Sequence, residues 1–279
     1  MEVAIVTSSL SCLPAEQVQR YSIKVVPIPF YLNGHAHLDG ADISSAEVYR
    51  LLAYELPFRT SAPSPGDYLK AFQDLSTWAK GILCLTIPRR FSMMADSARA
   101  AAAQMPVGTV RVLDTGAVAG AQALIDMAAA RAAFSGANLE EVTRLVERLA
   151  RRVYLYGLIV APQYVARTGR VPSLVPKIAS LLGIKPVIIC AQGHTRPVGV
   201  VRTERAGVNR MLTTMREKVG QRKVHVVIQH ADAAEQAENL RRRVESEFTC
   251  DELHVTDFSP VMGFATGPGT LALAFYAEE

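Results

Sequence analysis

Short apolar runs alternate with helix-forming segments over the first 150 residues, and this alternation limits the fold more than any other feature of the sequence. Val3 to Thr7 and Ile82 to Ile87 are typical of buried parallel strands. Helix-capping patterns lie between such runs, for example Ser64 with Pro65 and Asp67. Regular alternation of this kind predicts a parallel sheet with helices on both of its faces.

The pattern changes near residue 150. A turn at Gln192 to His194 leads from the predicted strand Lys185 to Cys190 into an antiparallel partner at Pro197 to Arg202. The other predicted elements are the strands 153–160, 223–229, 252–258 and 270–276 and the helices 204–218 and 232–246. We therefore expect an α/β protein with an N-terminal parallel-sheet α/β/α domain over residues 1–150 and a C-terminal mixed-sheet α/β domain over residues 151–279. The crevice between the two domains is the expected ligand site.

The composition is that of an ordinary globular protein. Of 279 residues, 49% are hydrophobic and 20% are charged, and 30 basic against 26 acidic side chains leave a net charge of +4. This charge is too small and too scattered to predict nucleic-acid binding. The four cysteines are far apart and show no metal-binding spacing, which indicates thiols in a reducing compartment. Because neither a signal peptide nor a long apolar run is evident, we expect a cytoplasmic protein without stable membrane insertion.

A predicted strand from Lys24 to Phe30 is followed by Asn33-Gly34, the preferred pair of a tight hairpin turn. His35, His37 and Asp39 come next at alternate positions, which places three side chains of types that bind zinc on one strand face. No fourth ligand is near in the sequence, and hairpin tips are usually polar. We therefore expect no metal site at this hairpin.

The segment from Thr60 to Asp67 is the first candidate for ligand binding. Pro63 and Pro65 keep it extended, so its hydroxyl groups are held on a stiff loop. A helix that begins at Pro65, with Ser64 as its N-cap, would present amides and the positive end of its dipole beside those hydroxyls. Such an arrangement favours an anionic ligand. The alternative is a purely structural loop, because serine and proline are common before helices.

Ser92 is the second candidate. It lies between the carboxyl end of the strand Ile82 to Ile87 and a predicted helix that runs to Gln104. Ligands of open α/β sheets bind at such ends, but an N-cap without a ligand would explain the same residue. Arg89 and Arg90 precede Ser92, and they either raise the positive potential near a head group or face water.

A basic loop at Ala166 to Arg170 is the third candidate. Gly169 allows a tight turn, and Arg167 or Arg170 could bind an anion through two hydrogen bonds. An ordinary surface salt bridge is the alternative.

Motifs of the common nucleotide-binding and hydrolase classes are missing. The sequence contains neither a Walker A motif nor a nucleophile elbow. Gly267-x-Gly269-x-x-Ala272 fits a loose dinucleotide pattern, but only ten residues follow Gly269, too few for the rest of that unit.

Several motifs together resemble those of the DegV family, in the family's order and over nearly the whole chain. They are Thr7-x-Ser9 before Leu13-Pro14, Asp39-Gly40-x-Asp42-Ile43-Ser44, Thr60-Ser61-x-Pro63-Ser64-Pro65-Gly66-Asp67-Tyr68, Thr168-Gly169-Arg170, Gly183-Ile184-Lys185-Pro186 and Gly267-Pro268-Gly269. The resemblance implies a DegV-like two-domain fold that binds one long-chain fatty acid, such as palmitate, stearate or oleate. The tail would lie in a closed tunnel and the carboxylate at the interdomain crevice. It also implies that some members present this carboxylate to a separate ATP-dependent fatty acid kinase, for phospholipid synthesis.

Carried over to this chain, the resemblance implies that Thr60 and Ser92 bind the carboxylate and that Arg170 contacts phosphate with the kinase. We expect the neighbouring Ser61 and Met93 to belong to the same substrate site. Neither a cofactor nor a metal nor a catalytic residue is implied, and any phosphoryl transfer would be done by the kinase.

The sequence departs from the family pattern near the expected head group. Ser8 replaces the aspartate of Thr-Asp-Ser, Met93 and Met94 replace Gly-Thr after Ser92, and Ala265 replaces a histidine before Gly267. That histidine is tied to phosphate transfer in relatives, so Ala265 weighs against kinase coupling more than against lipid binding.

A non-enzymatic fatty-acid-binding protein is therefore the leading hypothesis. A carrier of another apolar anion, with the soft side chains of Met93 and Met94 at the tunnel mouth, is one alternative. An enzyme that uses the same crevice is another, based on a distant relation of the family to dihydroxyacetone kinase subunits, but the missing phosphate loop argues against it.

Overall fold

The structure, a computed structural model, describes residues 2–52, 54, 56–171 and 183–279. Its strands are β1 Val3–Ser8, β2 Lys24–Val26, β3 Pro29–Leu32, β4 His35–Leu38, β5 Phe58–Thr60, β6 Gly81–Thr86, β7 Val110–Asp114, β8 Tyr154–Leu158, β9 Lys185–Ala191, β10 His194–Val201, β11 Val224–His230, β12 Cys250–Asp257 and β13 Leu271–Ala277. Its α-helices are α1 Ala15–Arg20, α2 Ser45–Leu52, α3 Pro65–Ser76, α4 Met94–Ala102, α5 Ala119–Phe134, α6 Leu139–Leu149, α7 Pro162–Arg167, α8 Glu204–Val219, α9 Ala234–Glu247 and α10 Pro260–Thr266.

The N-terminal part contains the predicted parallel sheet. Its four strands lie in the order β2-β1-β6-β7, and every neighbouring pair is parallel. The helices α3 and α4 pack on one face, where Tyr68 and Phe72 are buried against the strands. The helices α5 and α6 cover the other face. The predicted capping box at Ser64 is present, and Asn138 and Glu141 form another at the start of α6.

The prediction of a single strand from Lys24 to Phe30 is wrong. The chain forms β2, which belongs to the parallel sheet, and then β3, which belongs to a separate antiparallel sheet of order β4-β3-β5. Pro27 and Pro29 explain the division, because neither residue has an N–H group to continue a strand ladder. The hairpin turn between β3 and β4 forms as expected, with positive φ at Asn33 and Gly34.

The C-terminal part contains the predicted mixed sheet. Its six strands lie in the order β10-β9-β8-β13-β11-β12, and only β11 and β12 are parallel neighbours. The helices α8 and α9 cover one face. The short helices α7 and α10 were not predicted from the sequence, and each begins with a proline in its first turn.

Helix α5 lies between the two large sheets. It packs against β1 on one side and against β11 and β13 on the other, and 13 of its 16 residues are buried. Gly120 permits this approach, since a Cβ there would lie 2.9 Å from Cβ of Ala274. A helix that is apolar all round belongs in a core. The largest hydrophobic cluster accordingly contains residues from both sides of residue 150, including Leu124 and Val227.

None of the helices in the described part of the chain has the length and apolar character needed to span a bilayer.

Candidate ligand-binding cavity

A cavity of about 710 Å³ opens where the small antiparallel sheet, the loop after β6 and the C-terminal sheet meet. This volume lies within the range of about 300–1,000 Å³ that is common for small-molecule sites. Most of its wall is apolar. The apolar side chains include Leu10, Ile28, Phe58, Ile87, Val118, Leu155, Ile159, Ile188, Phe258, Val261 and Phe264.

Four of the residues predicted to bind a ligand line this one cavity. They are Thr60, Ser61, Ser92 and Arg170. Thr60 ends β5, where it pairs with Phe30 of β3, and Ser61 follows it. The hydroxyl groups therefore come from two separate chain segments that the tertiary structure brings to one cavity.

Arg170 links those two segments. Its Nη2 donates to Oγ1 of Thr60 over 3.3 Å, and its Nε donates to the carbonyl oxygen of Phe91 over 2.9 Å. Phe91 directly precedes Ser92, so one guanidinium group contacts both corners of the cavity. The Thr60 hydroxyl accepts from Arg170, and its own O–H group remains able to donate to a further acceptor.

Ser92 does not serve as the N-cap of α4. That position is occupied by Met93, and the chain reaches it through a turn in which the amides of Phe91 and Ser92 donate to the carbonyl oxygen of Pro88. The N-cap interpretation of Ser92 is therefore wrong. The half-buried Ser92 instead contributes to the cavity wall.

Met93, by contrast, lies outside the cavity wall, and 55% of its surface is exposed. Arg89 and Arg90 are also absent from the wall. Arg89 pairs with Asp96 at 3.1 Å, and Nη1 of Arg90 donates to the carbonyl oxygen of Gly193 over 3.0 Å. These three side chains therefore surround the site rather than form it.

The N-terminus of α3 does not lie at the cavity, contrary to expectation. Residues 64–67 at the start of this helix are exposed, and none of them lines the cavity. The capping box explains this, because Ser64 Oγ accepts from the Asp67 amide and Asp67 Oδ2 accepts from the Ser64 amide. The positive charge at the cavity comes instead from guanidinium groups, those of Arg59, Arg167 and Arg170.

Arg167 lies at the end of a column of aromatic rings. Its Cζ is 3.9 Å from the ring centre of Phe264. Phe264 stacks on Phe58 with ring centres 3.8 Å apart, and Phe58 stacks on Phe30 at 4.9 Å. The column joins α10 to the small antiparallel sheet, and its members Phe58 and Phe264 form part of the cavity wall. The sequence does not predict this column, because the three rings are far apart in the chain and Arg167 is a candidate only as part of the basic loop.

Helix α10 forms one wall of the cavity through Met262, Phe264 and Ala265. Gly263 allows it to pack closely on α2, since a Cβ at this position would lie 2.2 Å from Cε1 of Tyr49. Ala265, the position of the family histidine, therefore faces the cavity without a polar group.

Asp39 anchors the start of α10. Its Oδ1 accepts from the amide of Val261 over 2.9 Å, and burial raises the pKa of this carboxyl group. Of the two histidines before it, His37 stacks on Phe30 and His35 is exposed. Among the described residues, the one group with metal-binding geometry contains none of these three.

Cys190 lies in the cavity wall beside Thr195, with Sγ 3.1 Å from Oγ1. Burial raises the pKa of its thiol to about 11, although the Thr195 hydroxyl opposes this shift. The group is therefore a neutral thiol at ordinary pH and a poor nucleophile. The described lining residues include neither a histidine nor a carboxylate to act as its base.

Comparisons with known proteins agree with this architecture. The model of the family described as "Uncharacterised protein, DegV family" matches residues 2–278. A DegV domain-containing protein of Streptomyces coelicolor is 30% identical over 273 residues, which cover 97% of each chain. A solved DegV family protein of Thermus thermophilus, described as fatty-acid-binding, is 26% identical, with a TM-score of 0.93 and full coverage of both chains. A stearic-acid-binding protein of Eubacterium ventriosum is 22% identical, with a TM-score of 0.90, covering 99% of this chain and 98% of that one.

Proposed function

This chain belongs to the DegV family, and we propose on that basis that it binds one long-chain fatty acid in the cavity described above. The acyl tail would fill the apolar part, and the carboxylate would lie between Thr60, Ser92 and Arg170. The observation that carries the proposal is that these three polar residues open onto one otherwise largely apolar cavity.

The head-group end suits a single negative charge. A carboxylate accepts short hydrogen bonds from hydroxyl groups, and Thr60 and Ser92 each offer one. The Arg170 guanidinium polarises the Thr60 hydroxyl by donating to its oxygen, which strengthens that hydroxyl as a donor. Arg170 is exposed, so its charge is partly screened and its main contribution is to position Thr60.

The apolar end supplies most of the affinity. Each buried methylene contributes about 0.8 kcal/mol, so a long acyl chain contributes on the order of 10 kcal/mol before the cost of association. An acid with a short chain would make the same head-group hydrogen bonds but would bind far more weakly.

The direct test is to identify the small molecule that leaves the purified protein on denaturation, by mass spectrometry. We expect about one fatty acid per chain, and we expect the delipidated protein to take up palmitate or oleate with the same stoichiometry. A preparation that carries no acyl chain and binds neither acid would contradict the proposal.

We further propose that the chain itself is not an enzyme and that it presents the carboxylate to a separate ATP-dependent fatty acid kinase. Arg170 supports this, since it is exposed at the cavity mouth beside Thr60 and could contact an incoming phosphate. Ala265 weighs against it, because the wall there offers no imidazole. The test is to incubate the loaded protein with a fatty acid kinase and labelled ATP and to measure acyl phosphate. Acyl phosphate formed by the unaltered protein supports kinase coupling. Acyl phosphate formed only by the Ala265→His variant identifies Ala265 as the obstacle.

A carrier of another apolar anion is the second candidate. It is favoured by the three guanidinium groups of Arg59, Arg167 and Arg170, which exceed what one carboxylate requires. The identity of the co-purified ligand decides between the two, because a ligand with a phosphate or sulfate head group would favour this second candidate.

A further inference from the structure

A second cluster of polar side chains lies on the C-terminal sheet, outside the cavity wall. It consists of His225 on β11, Asp251 on β12 and Glu278, which directly follows β13. Each side chain offers one atom that can bind a metal, and these atoms all lie within 4.8 Å of one another. The three strands are neighbours in the sheet, so the cluster is held by the backbone ladder.

His225 is fixed in an orientation that directs Nε2 into the cluster. Only 10% of its side chain is exposed, and its ring stacks on that of Tyr276 with centres 4.4 Å apart. Its Nδ1 lies 2.9 Å from a carboxylate oxygen of Glu252. Its Nε2 lies 3.6 Å from Glu278 and 4.0 Å from Asp251, both beyond normal hydrogen-bond length. Nε2 of this largely buried side chain therefore points at two carboxylates without a hydrogen bond to either.

Glu252 lies against the other ring nitrogen of His225. One of its carboxylate oxygens is 2.9 Å from Nδ1 of His225, and the other accepts from Nη1 of Arg131 over 2.5 Å. With Nδ1 directed at Glu252, Nε2 is the ring nitrogen that faces the cluster. A histidine that donates to a carboxylate through one nitrogen and binds a metal through the other is the common outer-shell arrangement in metal sites.

The backbone also aims the two carboxylates. Val224 pairs with Cys250 and His225 with Glu252, so Asp251 is an additional residue at a β-bulge. Bulges redirect side chains next to functional sites. The Glu278 amide donates to the carbonyl oxygen of Lys223 over 3.0 Å, which holds Glu278 beside β11. Nζ of Lys223 lies 3.8 Å from Asp251, so this exposed ammonium group competes with a cation there.

We propose that His225, Asp251 and Glu278 bind one divalent ion of the zinc class, through one imidazole nitrogen and two carboxylate oxygens. Tetrahedral zinc bonds of about 2.0–2.2 Å place neighbouring ligand atoms roughly 3.4 Å apart. The separation of 3.6 Å between His225 and Glu278 is already near this value. Asp251 and Glu278 are each 46% exposed and can rotate to close the remaining gap, which leaves the fourth position for water. Such an ion would tie β11, β12 and the segment after β13 together.

The test uses chelator-treated full-length protein titrated with Zn²⁺ by calorimetry and with Co²⁺ by visible absorption. We expect one ion per chain, the absorption bands of tetrahedral Co²⁺, displacement of Co²⁺ by Zn²⁺, and no competition from Mg²⁺, which disfavours nitrogen ligands. Zn²⁺ should also raise the melting temperature, because it binds only the folded cluster.

Two variants make the assignment specific. Asp251→Asn and Glu278→Gln each remove one exposed carboxylate and should weaken Zn²⁺ binding at least tenfold. Asp74→Asn is the matched control, because Asp74 is also an exposed aspartate paired with a lysine, at 3.7 Å from Lys24. This variant protein should bind Zn²⁺ like the unaltered protein. Absence of a stoichiometric site would overturn the proposal. Equal affinity in all three variants would do the same, and would leave the cluster as an ion-pair network around a histidine.

Discussion

Replacement of Thr60 by valine removes one hydroxyl group from the cavity and keeps the branched shape of the side chain. Thr60 lies at the end of β5, where valine is equally compatible with the strand, so the fold should be retained. The hydroxyl is proposed to donate to the ligand carboxylate, and a hydrogen bond to a charged group contributes about 1.5–3 kcal/mol. We therefore expect Thr60→Val to raise the Kd for palmitate by roughly 10- to 150-fold.

The assay is competitive binding to delipidated protein with palmitate and with its methyl ester. The ester retains the whole tail but carries no charge, so its Kd should change much less than that of palmitate. Thr77→Val is the matched control, since the exposed Thr77 hydroxyl donates only to the carbonyl oxygen of Asp74 at the end of α3. An unchanged Kd for palmitate in Thr60→Val would refute the assignment of the head group. Equal weakening of acid and ester would refute it as well, because it would point to a change in the tail region.

Three further predictions concern the site and the core. Ser92→Ala should weaken palmitate binding by about 1–3 kcal/mol in the same assay, again with little effect on the methyl ester. Burial raises the pKa of Asp126 to about 7, although hydrogen bonds from its neighbours oppose this shift. The folded state therefore keeps a proton that the unfolded state releases above about pH 4, so this group should make the protein less stable as the pH rises to about 7. This loss of stability amounts to up to about 4 kcal/mol at 1.4 kcal/mol per pKa unit, and Asp126→Asn should reduce it. Urea unfolding of both proteins at several pH values tests the prediction, and identical pH profiles would contradict it. Gly263→Ala should destabilise the fold by at least about 2 kcal/mol, because its Cβ would overlap the Tyr49 ring, whereas Gly66→Ala meets only Ser64 at 3.5 Å and should not.

Local features of the fold were predictable from the sequence. The capping boxes at Ser64 and Asn138 depend on groups within three residues of one another, and the hairpin turn at Asn33-Gly34 depends on two adjacent residues. One local element was predicted wrongly, because the segment from Lys24 to Phe30 forms two strands instead of one. The prolines at 27 and 29 divide it, but the sequence does not show that the two halves join different sheets.

The candidate site was predictable only in part. The sequence located the hydroxyl groups of Thr60 and Ser92 in two loops that precede helices. It did not show that they share a cavity or that Arg170 links them. Met93 was expected in the site because it neighbours Ser92, and it is instead exposed. Adjacency in the chain does not determine the direction of a side chain once a turn intervenes.

The sequence by itself determined the order of the longer strands and helices, the change from a parallel to a mixed sheet, and the polar residues that are candidates for the site, because hydrophobic period and capping act over a few residues. Only the tertiary structure decided which of those residues meet. Arg170 and Thr60 are 110 residues apart, and Phe264 and Phe58 stack although they are 206 residues apart in the sequence. A hydrophobic pattern specifies that a face is buried but not which distant face covers it, so the cavity and the polar cluster of His225, Asp251 and Glu278 arise from packing.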